Sequence, residues 1–194
     1  MARNILVLNG HPDPESQGLC HALAEAYSRG AREAGHAVRR VDVATLEFGL
    51  LRSQAEFDRN ADAPAILAAQ EALMWANHLV VIFPLWLGDM PALLKAFFEQ
   101  TLRPGFAFTD RPGGFPLGHL TGRSARVIVT MGMPAFLYRW YFRAHGLKVV
   151  ERNILRFVGF APVRSTVLGG IGRRSRESIG RSLAYVEGLG GRSA

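Results

Sequence analysis

Three segments gather the residue types that can do chemistry. Residues 9–18 (NGHPDPESQG) hold His11, Ser16, Gln17 and Gly18 directly ahead of a helical pattern. The first N–H groups of a helix lack intrahelical acceptors, and the helix dipole adds positive potential there. The backbone N–H groups of Gln17, Gly18 and Leu19 can therefore hold a phosphate, with His11 as a further donor. The competing reading is ordinary capping by Ser16, with His11 on the surface. The segment is neither a P-loop nor a dinucleotide fingerprint: G-x-x-x-x-G-K-[ST] is absent, and no G-x-G-x-x-G follows the first apolar run.

The second segment, residues 84–89 (PLWLGD), offers Pro84, Leu85, Trp86 and Leu87. Backbone groups at such a turn can bond the edge of a flat heterocycle while Trp86 supplies apolar surface. Alternatively, Trp86 and Leu87 are core residues under the next helix. The third segment, residues 130–138 (TMGMPAFLY), offers Thr130, Met131, Gly132, Met133 and Tyr138, with His145 seven residues beyond Tyr138. Gly132 permits close backbone approach. Tyr138 and His145 can donate to charge that develops on a bound molecule; each can equally be a satisfied structural hydrogen bond.

The elements that must position these segments follow from the apolar pattern. Each segment leaves a short apolar run, at residues 5–8, 79–83 and 127–129. Five apolar residues in a row at 79–83, stopped by Pro84, indicate a central parallel strand buried on both faces. Further strands are predicted over 37–43, 126–130 and 162–168. Helices are predicted over 18–35, 63–77, the stretch after Asp89, 136–144, 147–158 and 174–187. Asp62 and Asp89 are the expected N-caps of the second and third helices, with Pro64 and Pro91 in their first turns. Residues 45–60 read as a surface excursion. Residues 103–122 read as a long loop whose Phe106, Phe108 and Phe115 line either a ligand pocket or a contact between subunits. Residues 192–194 read as frayed. The alternation gives an α/β fold: a flavodoxin-like, doubly wound, five-stranded parallel sheet of order 2-1-3-4-5 with helices on both faces. Strands 1, 3 and 4 are then neighbours, and the three segments meet at one sheet edge, where such sheets bind ligands.

Composition narrows the classes. A length of 194 residues favours one domain over 1–194. No apolar stretch approaches the roughly 18 residues of a membrane helix. The single Cys20 excludes an intrachain disulfide, and the short apolar start is unlike a secretory signal, so a cytoplasmic protein is expected. The formal net charge is +7, with Lys95 and Lys148 the sole lysines among 23 basic residues. The arginines are scattered, no nucleic-acid motif is present, and a positive field suits an anionic cosubstrate.

The segments HPDPESQG, FPLWLGDMPALLKAFFEQTLRPGFAF and TMGMPAFLYRWYFRAHG resemble the flavodoxin-like NAD(P)H:quinone oxidoreductases, the DT-diaphorase family, over nearly the whole chain. That resemblance implies bound FMN or FAD, a homodimer, and hydride transfer from NAD(P)H to a quinone or similar small acceptor. It implies a phosphate loop at His11, Ser16, Gln17 and Gly18. It implies flavin-ring contacts from Pro84, Leu85, Trp86 and Leu87 and from the loop of Thr130, Met131, Gly132, Met133 and Tyr138, in which Met131, Met133 and Pro134 replace the family's richer run of glycine. Tyr138 and His145 resemble the family's Tyr/His pair, which stabilises charge during hydride transfer. The alternatives are a non-catalytic flavoprotein subunit of a potassium-efflux system and a reductase of azo or nitro compounds.

Overall fold

A computed structural model describes residues 2–15 and 18–194. Met1, Ser16 and Gln17 lie outside the described residues, and so do the expectations placed on Ser16 and Gln17. The chain runs β1 (Asn4–Asn9), α1 (Leu19–Glu33), β2 (Ala37–Asp42), α2 (Gln54–Phe57), α3 (Pro64–Trp75), β3 (His78–Pro84), α4 (Ala92–Thr101), β4 (Phe108–Thr109), β5 (Leu117–Gly118), β6 (Ser124–Thr130), α5 (Ala135–Trp140), α6 (His145–Lys148), β7 (Val163–Leu168) and α7 (Arg176–Gly191). α6 continues into a π-helical stretch, Val149–Arg156. Five strands form one parallel sheet in the order β2-β1-β3-β6-β7, which is 2-1-3-4-5 when β4 and β5 are set aside.

The continuous apolar runs serve two cores at once. Successive strand residues face opposite sides of the sheet. Ile5, Val7, Val80, Ile82 and Ile128 meet α1 and α7 on one side. Leu6, Leu8, Leu79, Val81, Phe83, Val127 and Val129 meet α3, α4 and the π-helical stretch on the other. β2 has no fully buried residue and alternates exposed and half-buried positions over residues 37–40, as an edge strand should.

α1 and α7 touch backbone to backbone. A Cβ on Gly30 would sit 2.1 Å from the Glu187 carbonyl oxygen, and one on Gly190 2.1 Å from that of Tyr27. The Arg29–Glu187 ion pair across the same contact is exposed and screened, so the helix spacing is set by the two glycines.

Several local expectations are corrected. Asp62 does not cap α3; Ala63 holds the N-cap position and Pro64 occupies the first turn, where its missing N–H costs nothing. Asp89 does not cap α4 either. Pro91 is the N-cap residue, and the Asp89 carboxylate accepts from its neighbour Met90 N–H at 2.7 Å. The excursion 45–60 contains α2, capped by Ser53 accepting from Glu56 N–H. The loop 103–122 contains the β4–β5 hairpin. Buried Arg103 joins the two regions, donating from one guanidinium nitrogen to the carbonyls of Glu56, Arg59 and Asn60 at 3.1 Å each. Residues 192–194 are not frayed. Ala194 N–H donates to Leu189 at 3.1 Å, Arg126 donates to the Ala194 carbonyl, and Ser193 is buried.

Candidate active site

The three segments leave β1, β3 and β6, which are adjacent in the sheet. The first is held by a chain of side chain to backbone bonds. The Asn9 carboxamide oxygen accepts from His11 N–H, His11 Nδ1 from Asp13 N–H, and Asp13 Oδ1 from Glu15 N–H. Asn9 is itself fixed by donating to Asp42 at 2.8 Å. Burial tends to raise the Asp42 carboxyl, but bonds from Arg40 and Asn9 pull it below its ordinary value, so it stays ionised. His21 lies on the first turn of α1, its ring 5.4 Å from that of His11. Burial and the neighbouring His11 push its pKa down, leaving it neutral. Gly18 is the N-cap of α1, and the first turn carries no acidic residue of its own.

The second segment is a strained turn. Trp86 N–H donates to Asp89 O at 2.9 Å and Asp89 N–H to Trp86 O at 3.0 Å. Its central residues, Leu87 and Gly88, have φ of 48° and 87°, the pattern of a type I′ turn. Gly88 accepts this conformation readily; Leu87 does so at a cost of order 1–3 kcal/mol. Leu87 is also fully exposed and Trp86 half exposed, so neither is a core residue.

Specific contacts lock the segments together. His11 meets Trp86 edge to face at 6.4 Å, joining the first to the second. Leu85 N–H donates to Thr130 O at 2.8 Å, joining the second to the third. A Cβ on Gly146 would lie 2.2 Å from the Gly88 carbonyl oxygen, so only glycine lets α6 rest on the turn. Behind them, Cys20 Sγ and Thr130 Oγ1 lie 3.3 Å apart, tying the start of α1 to the end of β6. Burial pushes the Cys20 thiol up to about 11.

Between the second and third segments lies a cleft of ≈ 560 Å³. Leu85, Leu87, Met131, Gly132, Met133, Tyr138 and His145 line it, together with Gly88 and Phe142, which sequence reasoning missed. Thr130 does not line it, because its hydroxyl is turned to Cys20 and its carbonyl to Leu85. Pro84, which ends β3, Trp86, and His11 and Gly18 of the first segment do not line it either. The N–H groups of Leu87, Gly88, Gly132 and Met133 find no acceptor among the described residues. Tyr138 is buried, and its hydroxyl accepts from Leu147 N–H at 3.0 Å, leaving its own proton to donate. Burial holds its pKa above the ordinary phenol value, with the Leu147 bond opposing. His145 is exposed at the start of α6. The arrangement is an apolar slot with backbone donors at its edge, a protonated phenol in its wall and an imidazole at its mouth.

Comparison with known proteins follows the geometry. The chain is 28% identical over 178 residues to the ribosyldihydronicotinamide dehydrogenase-like protein traD of Penicillium crustosum, matching 78% of this chain and spanning 64% of that protein's length. It is 29% identical over 185 residues to the FMN-dependent NADH:quinone oxidoreductase of Nitratidesulfovibrio vulgaris, covering 84% of this chain and 85% of that one. The crystal structure of Smu.1420 from Streptococcus mutans superposes with a TM-score of 0.80 at 26% identity, covering 97% of this chain and 99% of that one. The flavodoxin-like fold family matches residues 3–187, so this chain belongs to that family.

Proposed function

We propose that the chain is a flavin-dependent oxidoreductase that transfers hydride from NAD(P)H to a quinone or similar small acceptor. The observation that carries this reading is the cleft between the segments that leave β3 and β6, with backbone donors on both that find no acceptor among the described residues and Tyr138 in its wall. Its volume of ≈ 560 Å³ falls in the range of roughly 300–1,000 Å³ common to small-molecule sites. The residues fit a flavin: an apolar slot suits a flat ring, N–H groups suit its polar edge, and an α1 first turn without an acidic residue suits a phosphate. The name of the Nitratidesulfovibrio relative favours FMN and NADH. When bound, the flavin supplies a two-electron carrier between donor and acceptor.

The chain's own residues have separate tasks. Leu85, Met131, Met133 and Phe142 exclude water, which strengthens every electrostatic contact in the cleft. Tyr138, kept protonated by burial, donates toward negative charge that develops in the slot. His145, exposed at the start of α6 and lining the cleft, is the second donor toward that charge. The N–H groups of Leu87, Gly88, Gly132 and Met133 orient the polar edge of whatever lies there. We further read residues 1–194 as one flavin-binding domain that acts in the cytoplasm as a homodimer. Exposed Phe115 and Phe157, the latter beside an apolar groove of ≈ 280 Å³, support a contact with a second copy.

The deciding experiment is NADH or NADPH oxidation with menadione by FMN-loaded protein, together with mass measurement of the flavin released on denaturation. Bound flavin without turnover would leave a flavin-binding module and sink the enzyme.

A further inference from the structure

α5 presents aromatic surface to solvent at the mouth of the cleft. Phe136 is 68%, Trp140 83% and Tyr141 76% exposed, and Tyr138 is the one buried residue of the helix. Phe136 and Trp140 are four residues apart and share a face, as do Leu137 and Tyr141. The Tyr141 ring meets Phe142 at 5.0 Å, and Phe142 lines the cleft together with fully exposed Leu87. The patch and the cleft mouth are therefore one continuous surface.

Its charge is mainly positive, with exposed Asp89 beside Gly146 the nearby acid. Arg139 and Arg143 interleave with the aromatics, both exposed and neither in an ion pair among the described residues. No Asp or Glu occurs between Asp110 and Glu151.

We propose that this patch docks the protein on an anionic lipid surface, and that the cleft draws a lipid-soluble quinone from it. The second half rests on the oxidoreductase reading above; the docking does not. Trp and Tyr favour the boundary between water and hydrocarbon, where an apolar ring and a polar edge are both satisfied. Arginine adds attraction to anionic headgroups. A second copy of the chain is the poorer occupant. A two-fold contact centred on the patch would bring four arginines together against the two copies of Asp89.

The test is co-sedimentation with vesicles rich in phosphatidylglycerol and with vesicles of phosphatidylcholine alone. The protein is expected to bind the anionic vesicles, with tryptophan emission shifted to the blue, and to leave the neutral ones. Arg139→Gln with Arg143→Gln should lower that partitioning by roughly 30-fold, about fivefold per charge. Trp140→Ala, an exposed position that spares the fold, should weaken binding and abolish most of the emission shift. Equal binding of both vesicle types, no binding, or binding indifferent to these substitutions overturns the proposal. So does a dimer that Trp140→Ala dissociates in size-exclusion chromatography. Turnover of menadione in solution, measured beside turnover of a long-chain quinone held in the vesicles, separates the two readings. Loss of both with vesicle binding intact refutes the oxidoreductase. Menadione turnover in a protein that ignores vesicles refutes the docking.

Discussion

The Tyr138 hydroxyl holds Leu147 N–H, and the proposed function gives the same hydroxyl a task in the cleft. Tyr138→Phe removes the acceptor of Leu147 N–H and, with it, the hydroxyl proton that the proposed function assigns to the cleft. Stopped-flow reduction of the FMN-loaded variant by NADH should slow by roughly ten-fold or more, the loss expected for one charge-stabilising donor. Chemical unfolding should show a stability loss of about 1–3 kcal/mol, because a buried N–H is left unpaired. Reduction at the wild-type rate would remove Tyr138 from the mechanism. Gly146→Ala probes the lock between α6 and the Leu87–Gly88 turn. The added methyl must displace backbone at Gly88, so flavin affinity should fall along with thermal stability, read by fluorescence titration and by Tm. At this scale the sequence revealed residue types but not directions. Thr130 stands in the right segment, yet its hydroxyl serves Cys20. The positive φ of Leu87 was also hidden, because nothing in a leucine signals a left-handed backbone.

Among the elements, β3 carries an unusual titrating group. His78 is buried, with Nδ1 2.7 Å from Ser124 Oγ and Nε2 without a partner among the described residues. Burial, reinforced by Arg3, Arg126 and Arg164, lowers its pKa to about 4. The folded protein therefore keeps His78 neutral while the unfolded chain takes up a proton near pH 6.5. Stability is unaffected by this group above that pH and falls as pH drops from about 6.5 toward 4. The loss approaches about 1.4 kcal/mol per pH unit. Urea midpoints from pH 7.5 to 4.5 should show this slope, and His78→Asn should flatten it; an unchanged slope would acquit His78. The sheet itself was legible, since residues 79–83 need burial on both faces to make sense. The short elements were not. β4 and β5 are two residues each and depend on long-range contacts that local patterning does not encode. α2 left one readable trace, the Ser53–Glu56 spacing of a capping box.

For the whole molecule, the backbone contact of α1 and α7 is the point of least tolerance. Gly30→Ala and Gly190→Ala each drive a methyl into a carbonyl oxygen. Overpacking of about 1–3 kcal/mol should lower Tm by roughly 2–12 °C in calorimetry. A wild-type Tm in both would mean that the helices can slide apart freely. The docked terminus tightens the same region, because Arg126 of β6 and Tyr27 of α1 both reach the Ala194 carbonyl. Its order was invisible in sequence, where three residues ending in Ser-Ala look like a tail.

Cys20 turns this architecture into a clock. It is the chain's sole thiol, buried at the joint between α1 and β6, and with a pKa of about 11 it is about one part in a thousand thiolate at pH 8. A thiol reagent can therefore label the protein only when that joint opens. Ligand held across the first and third segments must leave before the joint parts, so FMN at one hundred times its Kd should slow labelling about 100-fold. The rate of one covalent reaction then reports flavin occupancy at this joint, and labelling indifferent to FMN would mean the joint opens with the ligand still in place.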